Sequence, residues 1–320
     1  MTKTLLTLLV LSSQLSLAAT PENEESKVST SLPEVTQKAN QEEVIENPTL
    51  KTLSGSLNPW SLYSSFTYRG GSIEDPLGAE RPNIQNAAEA PGLANMSGNL
   101  GFKYRLTKQS NISLQTGLYS TTPFHSSIDT DNARNQRDFD ENGQQLDADD
   151  PTLSYFRTYN LGALQNVSFV KYQYVTRGSY RDFGLRSGVA FSQATAIKIH
   201  PAAYIAATLT YESYQYDKTS TTIQGRAMSL TPYQTLQTLR ANLSTELYLR
   251  RNLSVRFISD VMSYYQMRGE SDIEDRVLQQ TLAMTYFFNR DISLAPNVRF
   301  ILGELRPEQT NMGLTFNVNL

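Results

Sequence analysis

From Trp60 onward the chain is organised by a period of two. Leu239, Ala241, Leu243, Thr245, Leu247 and Leu249 alternate with Arg240, Asn242, Ser244, Glu246, Tyr248 and Arg250. Leu253, Val255, Phe257 and Val261 alternate with Ser254, Arg256 and Asp260. Over 310–320, Met312, Leu314, Phe316, Val318 and Leu320 take one face, and Asn311, Gly313, Thr315, Asn317 and Asn319 the other. Successive side chains of a strand point to opposite faces, so this pattern predicts strands with one apolar and one polar side. Twelve such segments are predicted: 60–69, 97–106, 111–121, 153–164, 167–177, 184–195, 202–214, 236–250, 253–267, 277–288, 292–303 and 310–320. The fourth, near Tyr155 to Leu164, has no clear facing.

The connections alternate in length. Thr107–Ser110, Gln165-Asn166, Ala196–Pro201, Arg251-Asn252 and Asn289–Asp291 are short. Between them lie 70–96, 122–152, 178–183, 215–235, 268–276 and 304–309, several of them long. The short ones repeat Asn or Asp, an aliphatic residue, Ser and an apolar residue, at Asn111, Asn166, Asn252 and Asp291. Asn and Asp tolerate left-handed turn geometry, so the repeat reads as recurrent hairpin chemistry. An even strand number places both ends of such a sheet on the side of the short turns.

In its closing apolar-faced strand and its one-sided loop asymmetry the chain resembles the bacterial outer-membrane β-barrels, porin-like and of about twelve strands. Leu320 stands where that class usually ends in an aromatic residue. The resemblance implies an all-β fold, a transmembrane antiparallel up-and-down β-barrel over 59–320. It also implies residence in the outer membrane of a Gram-negative bacterium, contact with outer-membrane lipid and lipopolysaccharide, and insertion by the barrel-assembly machinery. Lipid leaves backbone amides without partners, so only helices or closed sheets cross it. After residue 19 no run of 18 apolar residues exists to make a membrane helix. The 18 Tyr and 13 Phe suit aromatic girdles at two membrane interfaces.

The first 58 residues are different. Lys3, the apolar stretch Leu5–Leu17 and Ala18-Ala19 read as a signal peptide over 1–19. Residues 20–58 hold seven Glu and three Lys and no aromatic residue, which predicts a disordered or weakly helical acidic segment in the periplasm, outside the barrel. The absence of Cys fits an oxidising compartment. With that segment removed the net charge is close to zero, and no charge bias points to nucleic acid.

If the apolar faces meet lipid, the lumen collects Lys103, Arg105, Lys171, Arg186, Arg240, Arg250, Arg256 and Arg299 against Glu212, Glu246 and Asp260. Rings of charge select ions in water-filled barrels, so this balance predicts a pore lining that favours anions. Two other readings compete: Arg105 and Arg250 decorate the periplasmic rim, and pairing among Arg240, Glu246, Arg256 and Asp260 gives a rigid, closed lumen. Tyr63, Tyr204, Tyr214, Tyr248 and Tyr264 are expected inside as filling.

Asp138, Asp140, Asn142, Gln144 and Asp149 match the ligand spacing of an EF-hand loop, with Gly143 at the bend. Weak calcium binding in an outer loop is the expectation they support. No other cofactor is suggested. The two histidines, His125 beside Ser126-Ser127 and His200 before Pro201, carry no signature of the barrel lipases, and no enzyme is expected. The functional expectation is a channel for small polar, preferentially anionic, solutes. The alternative is a structural or surface-interaction barrel with a closed lumen and ion- or partner-binding outer loops.

Overall fold

The computed structural model describes residues 45–85, 91–125, 146–223 and 226–320. The expected signal peptide, residues 20–44 and most of the loop after Thr121 lie outside the described residues. Twelve strands form the wall: β1 (Trp60–Arg69), β2 (Asn95–Thr107), β3 (Ser110–Thr121), β4 (Leu146–Leu161), β5 (Leu164–Tyr174), β6 (Leu185–His200), β7 (Ala203–Tyr216), β8 (Thr235–Arg250), β9 (Leu253–Met267), β10 (Gln280–Phe287), β11 (Ile292–Phe300) and β12 (Asn311–Asn319). Each pairs antiparallel with its chain neighbours, and β1 pairs with β12 from Tyr63↔Asn319 to Arg69↔Gly313. That pairing closes the sheet, so no edge is left among the wall strands.

The facing follows the pleat. Leu62, Phe66, Leu100, Leu114, Leu118, Leu153, Leu247, Leu282 and Leu314 stand exposed on the outside. Asn311, Gly313, Thr315, Asn317 and Asn319 face the interior, as the alternation of the last strand predicts. Exposure of so many large apolar side chains around one circumference is built for a hydrocarbon solvent. At the short-turn end Trp60 stacks near Phe102 and Tyr104, with ring centroids 5.0 and 4.1 Å away. At the other end Tyr68 meets Phe124 edge-on at 5.3 Å. These aromatics mark the two rims of the belt. The short turns share one end, which in this class is the periplasmic one.

Three details differ from the sequence pattern. The turn between β4 and β5 falls at Gly162-Ala163, because Gly162 takes a left-handed φ of 60°. The Asn166 repeat therefore lies inside β5 rather than in the turn. In β9 the pairing with β8 slips between Asn242↔Asp260 and Ala241↔Met262, which leaves Val261 as an extra residue. That bulge reverses the facing above it, so Tyr265 lines the interior where Tyr264 was expected.

The third difference is larger. Residues 45–58 lie inside the periplasmic end of the barrel and include a helix, α1 (Pro48–Ser54). Asn47 caps it by accepting from the Leu50 amide at 2.9 Å, and Pro48 starts the first turn. Gly55, at φ 74°, ends it and returns its amide to the Lys51 and Thr52 carbonyls. Ile45 and Leu50 pack on Phe156, Val167, Ala194 and Ala196 of the inner wall. The expectation of a solvated segment over 20–58 is corrected for this stretch. Its few apolar residues are spaced to meet an apolar patch that composition alone does not reveal.

Candidate functional site

Above that segment the lumen is a chamber of about 1770 Å³, with Thr49 and Thr52 of α1 among its lining residues. Lys103, Lys171, Arg240, Arg256, Asp260 and Arg299 all line it, where the alternation of β2, β5, β8, β9 and β11 places them. The bulk of its polar lining is Ser, Thr and Asn, such as Ser65, Thr67, Asn99, Ser113, Thr315 and Asn317.

The charges are held unequally. Arg240 donates to Glu212 at 2.8 Å, and Glu212 also accepts from Thr238 at 2.9 Å and from the Tyr214 hydroxyl at 3.0 Å. Arg299 donates from Nε to Thr281 Oγ1 at 3.4 Å. Lys103 donates to the Ser54 carbonyl at 3.3 Å and lies 4.8 Å from the Tyr63 ring centroid. Lys171 stands 5.6 Å from the Phe169 ring. Among the described residues, Arg256 and Arg299 form no ion pair.

Four of the expected lining residues sit elsewhere, among them Arg250, which is exposed at the short-turn end of β8. Glu246 is buried in the floor, where its carboxylate accepts from Thr49 at 2.7 Å, Ser254 at 2.8 Å and Asn47 at 3.2 Å. Arg105 binds the Ser56 carbonyl at the periplasmic rim. Arg186 pairs with Asp217 at the outer end. The pairing expected among Arg240, Glu246, Arg256 and Asp260 does not occur among the described residues, since Glu212 takes Arg240 and the floor takes Glu246.

Three cations of the chamber fall outside the sequence-derived set, Arg69, Arg81 and Arg276 of an outer loop. Arg69 was legible, since it continues the alternation of Tyr63, Ser65 and Thr67. Arg81 was not. It comes from a hairpin in the first outer loop, Glu80–Gln85 paired with Pro91–Leu93, that folds into the mouth. Glu270, Glu274, Asp275 and Glu304 join the lining through other outer loops.

Of the expected calcium ligands, Asp138, Asp140, Asn142 and Gln144 lie outside the described residues, and the Asp149 backbone pairs with Gly117 inside β4. His125 meets the Leu77 carbonyl at 2.8 Å and joins two outer loops, and His200 accepts from the Ala202 amide at 3.2 Å within its turn.

No family model matches the sequence, and no characterised protein matches it at significant sequence similarity. Solved structures do match in fold. A crystal structure of an outer membrane channel from Pseudomonas putida F1 aligns with a TM-score of 0.54 at 13% identity, covering 83% of this chain and 97% of that one. The NanC porin aligns over 80% of this chain and 98% of its own, at 8% identity and a TM-score of 0.43. With the closed twelve-strand wall, the apolar belt and the girdles, the fold is that of an outer-membrane β-barrel.

Proposed function

We propose that the barrel is an outer-membrane channel for small polar solutes, with a preference for anions. The observation that carries this reading is the chamber itself. Its lining presents Arg69, Arg81, Lys103, Lys171, Arg240, Arg256, Arg276 and Arg299 against Glu212 and Asp260 of the wall and Glu270, Glu274, Asp275 and Glu304 of the outer loops. A positive wall in a narrow, partly desolvated lumen raises the local concentration of anions. Neutral solutes meet rows of hydroxyl and amide groups that replace water as they pass. The pairing of Arg240 with Glu212 leaves Arg256 and Arg299 as the stronger contributors.

The test is the reversal potential of the full chain in a planar bilayer under a salt gradient, compared with Arg240→Gln, Arg256→Gln and Arg299→Gln combined. Anion preference in the wild type that is reduced in the triple variant supports the reading. The preference should fade at 1 M salt, where the screening length is about 3 Å. Selectivity unchanged by the triple variant would place the filter elsewhere.

One observation favours a second reading. Residues 45–58 floor the chamber, which suits a barrel whose lumen receives a ligand without passing it. No conductance in the full chain, with conductance appearing only after removal of the floor, would decide for that reading.

A further inference from the structure

Arg69, Gly313, Asn297, Ala283 and Arg256 lie on one continuous rung across β1, β12, β11, β10 and β9. All five line the chamber. Two arginines thus stand about 19 Å apart along the sheet, four strand spacings, and the positions between them are small or neutral. On the next rung outward, Arg299 sits opposite Asn311 and Thr281. The wall is therefore recessed at Ala283, while the Asn297 carboxamide lies over Gly313, and arginines stand around this stretch.

The recess has a fourth cation. Arg81 is only 8% exposed, lines the same chamber, and its Nε finds no hydrogen-bond acceptor. The loop that carries it is tied to the wall at its base. Gly70 donates to the Met312 carbonyl at 2.8 Å, Met312 to that of Gly71 at 2.7 Å, and Ala94 to that of Ala79 at 2.7 Å. Arg69 meets only neutral acceptors, Asn95 Oδ1 and Ser97 Oγ, both at 3.3 Å. Glu212 is engaged by Arg240, and Asp260 touches Arg299 only through its field. Burial, followed by the charges of Arg299 and Arg69, pushes the Arg81 guanidinium down to about 10. A buried cation that lines the chamber among other cations is offset by an anion held there.

We propose that Arg69, Arg81 and Arg299 form a discrete binding site for the oxyanion group of a small solute, a carboxylate or a phosphate, in the outer half of the lumen. The planar guanidinium fork matches both groups in two-point contact. Arg256 stands two residues nearer the periplasm on β9 than the rung of Arg299 and receives the second charge of a dianion. The site deepens the channel reading, since it rests on a lumen open to solutes from outside.

The test is titration calorimetry of the full chain, folded in detergent, with succinate, inorganic phosphate and the uncharged analogue succinamide. Fold is verified by heat-modifiable electrophoretic mobility. Succinate or phosphate should bind and succinamide should not, and the better of the two anions identifies the source of the oxyanion. Arg81→Gln and Arg299→Gln should each weaken binding about tenfold or more, whereas Arg181→Gln, on the short helix Gly178–Asp182, should leave it unchanged. If Arg81→Gln does not fold, Arg299→Gln alone decides. Binding of neither anion, equal binding of succinamide, or full affinity in the folded variants would overturn the site. Anion binding without conductance would remove only the channel reading. Anion-selective conductance without binding would remove only this inference.

Discussion

The hydroxyl of Thr49 donates to the carboxylate of Glu246 at 2.7 Å, across 197 residues of chain. Thr49 is on α1 and Glu246 on β8, so the bond ties the floor of the lumen to its wall. Asn47 and Ser254 supply two more donors to the same carboxylate. Gln165 accepts from the backbone amides of Glu46 and Asn47 at 2.9 and 3.0 Å on the other side. The floor is thus held mainly by hydrogen bonds and a small apolar patch, an arrangement that can be released without unfolding the barrel.

Glu246→Leu should loosen the floor and leave the wall intact. It removes an ionised acceptor shared by three donors, and each such bond contributes about 1.5–3 kcal/mol. The expected outcome is a heat-modifiable barrel with larger or more frequent openings in a planar bilayer, and protease access near Thr49. Deletion of residues 45–58 should produce the same conductance in more extreme form. A variant with wild-type conductance and protection would show that the floor does not control passage.

Most of the wall was legible in the sequence because a strand that faces lipid on one side and water on the other must alternate. Trp60–Arg69, Ser110–Thr121 and Leu253–Met267 were expected within a residue of where they form. β4 was less legible, since Arg157 and Tyr159 interrupt its outward apolar row and blur the facing. The floor carried a weaker signal. Asn47-Pro48 is a helix-start pair, yet the acidic composition around it argued for solvent, and its partners are more than a hundred residues away. Arg81 carried none, because a loop that folds inward is fixed by contacts its own sequence does not encode.

Phe316→Arg should strongly impair the barrel. Phe316 is in the middle of β12, opposite Phe66 on β1 and Leu294 on β11, and alternates with lumen-facing Thr315 and Asn317. A cation on the lipid face near the midplane costs about 2–4 kcal/mol. Urea unfolding in phospholipid vesicles should shift by that amount, whereas Thr315→Arg, on the lumen side, should shift it far less. Equal penalties at both positions would contradict the assigned facing.

Besides the outward Tyr211, Gln237 and Gln266, which bond to one another on β7, β8 and β9, the outer face of the described residues carries a second polar network. On β4, β5 and β6, Tyr159, Asn166, Ser168, Gln193 and Thr195 point outward and bond to one another. Thr195 donates to Asn166 Oδ1 at 2.8 Å, Gln193 donates to the same oxygen at 3.2 Å, and Tyr159 donates to Gln193 Oε1 at 3.3 Å. Inside lipid the network is tolerable only while its donors stay satisfied. Asn166→Ala takes the acceptor from the Thr195 hydroxyl and one of the acceptors of Gln193, and should cost about 1–3 kcal/mol in vesicle unfolding. Asn166→Val with Ser168→Ala, Gln193→Leu and Thr195→Val removes the network whole, and should be neutral or stabilising. A quadruple variant less stable than Asn166→Ala would mean that the polar patch faces something other than lipid.

Arg81 should reduce the stability of the barrel it serves. Its ionised form is disfavoured in the folded state, where burial and the Arg299 and Arg69 charges lower it to about 10. A base lowered on folding loses stability at every pH below its folded value and recovers it only as pH rises through that value towards the unfolded one. At neutral pH the penalty is therefore present in full, with a ceiling on the order of 3 kcal/mol. Arg81→Met keeps the stem and removes the charge, so it should raise the urea midpoint at pH 7, with the gap to wild type closing above pH 10. Phosphate or succinate should narrow the same gap at pH 7, because an oxyanion bound among Arg69, Arg81 and Arg299 stabilises only the folded wild type. If Arg81→Met is less stable than wild type in the absence of any anion, Arg81 supports the fold of the inward hairpin and its charge is not held in reserve for a ligand.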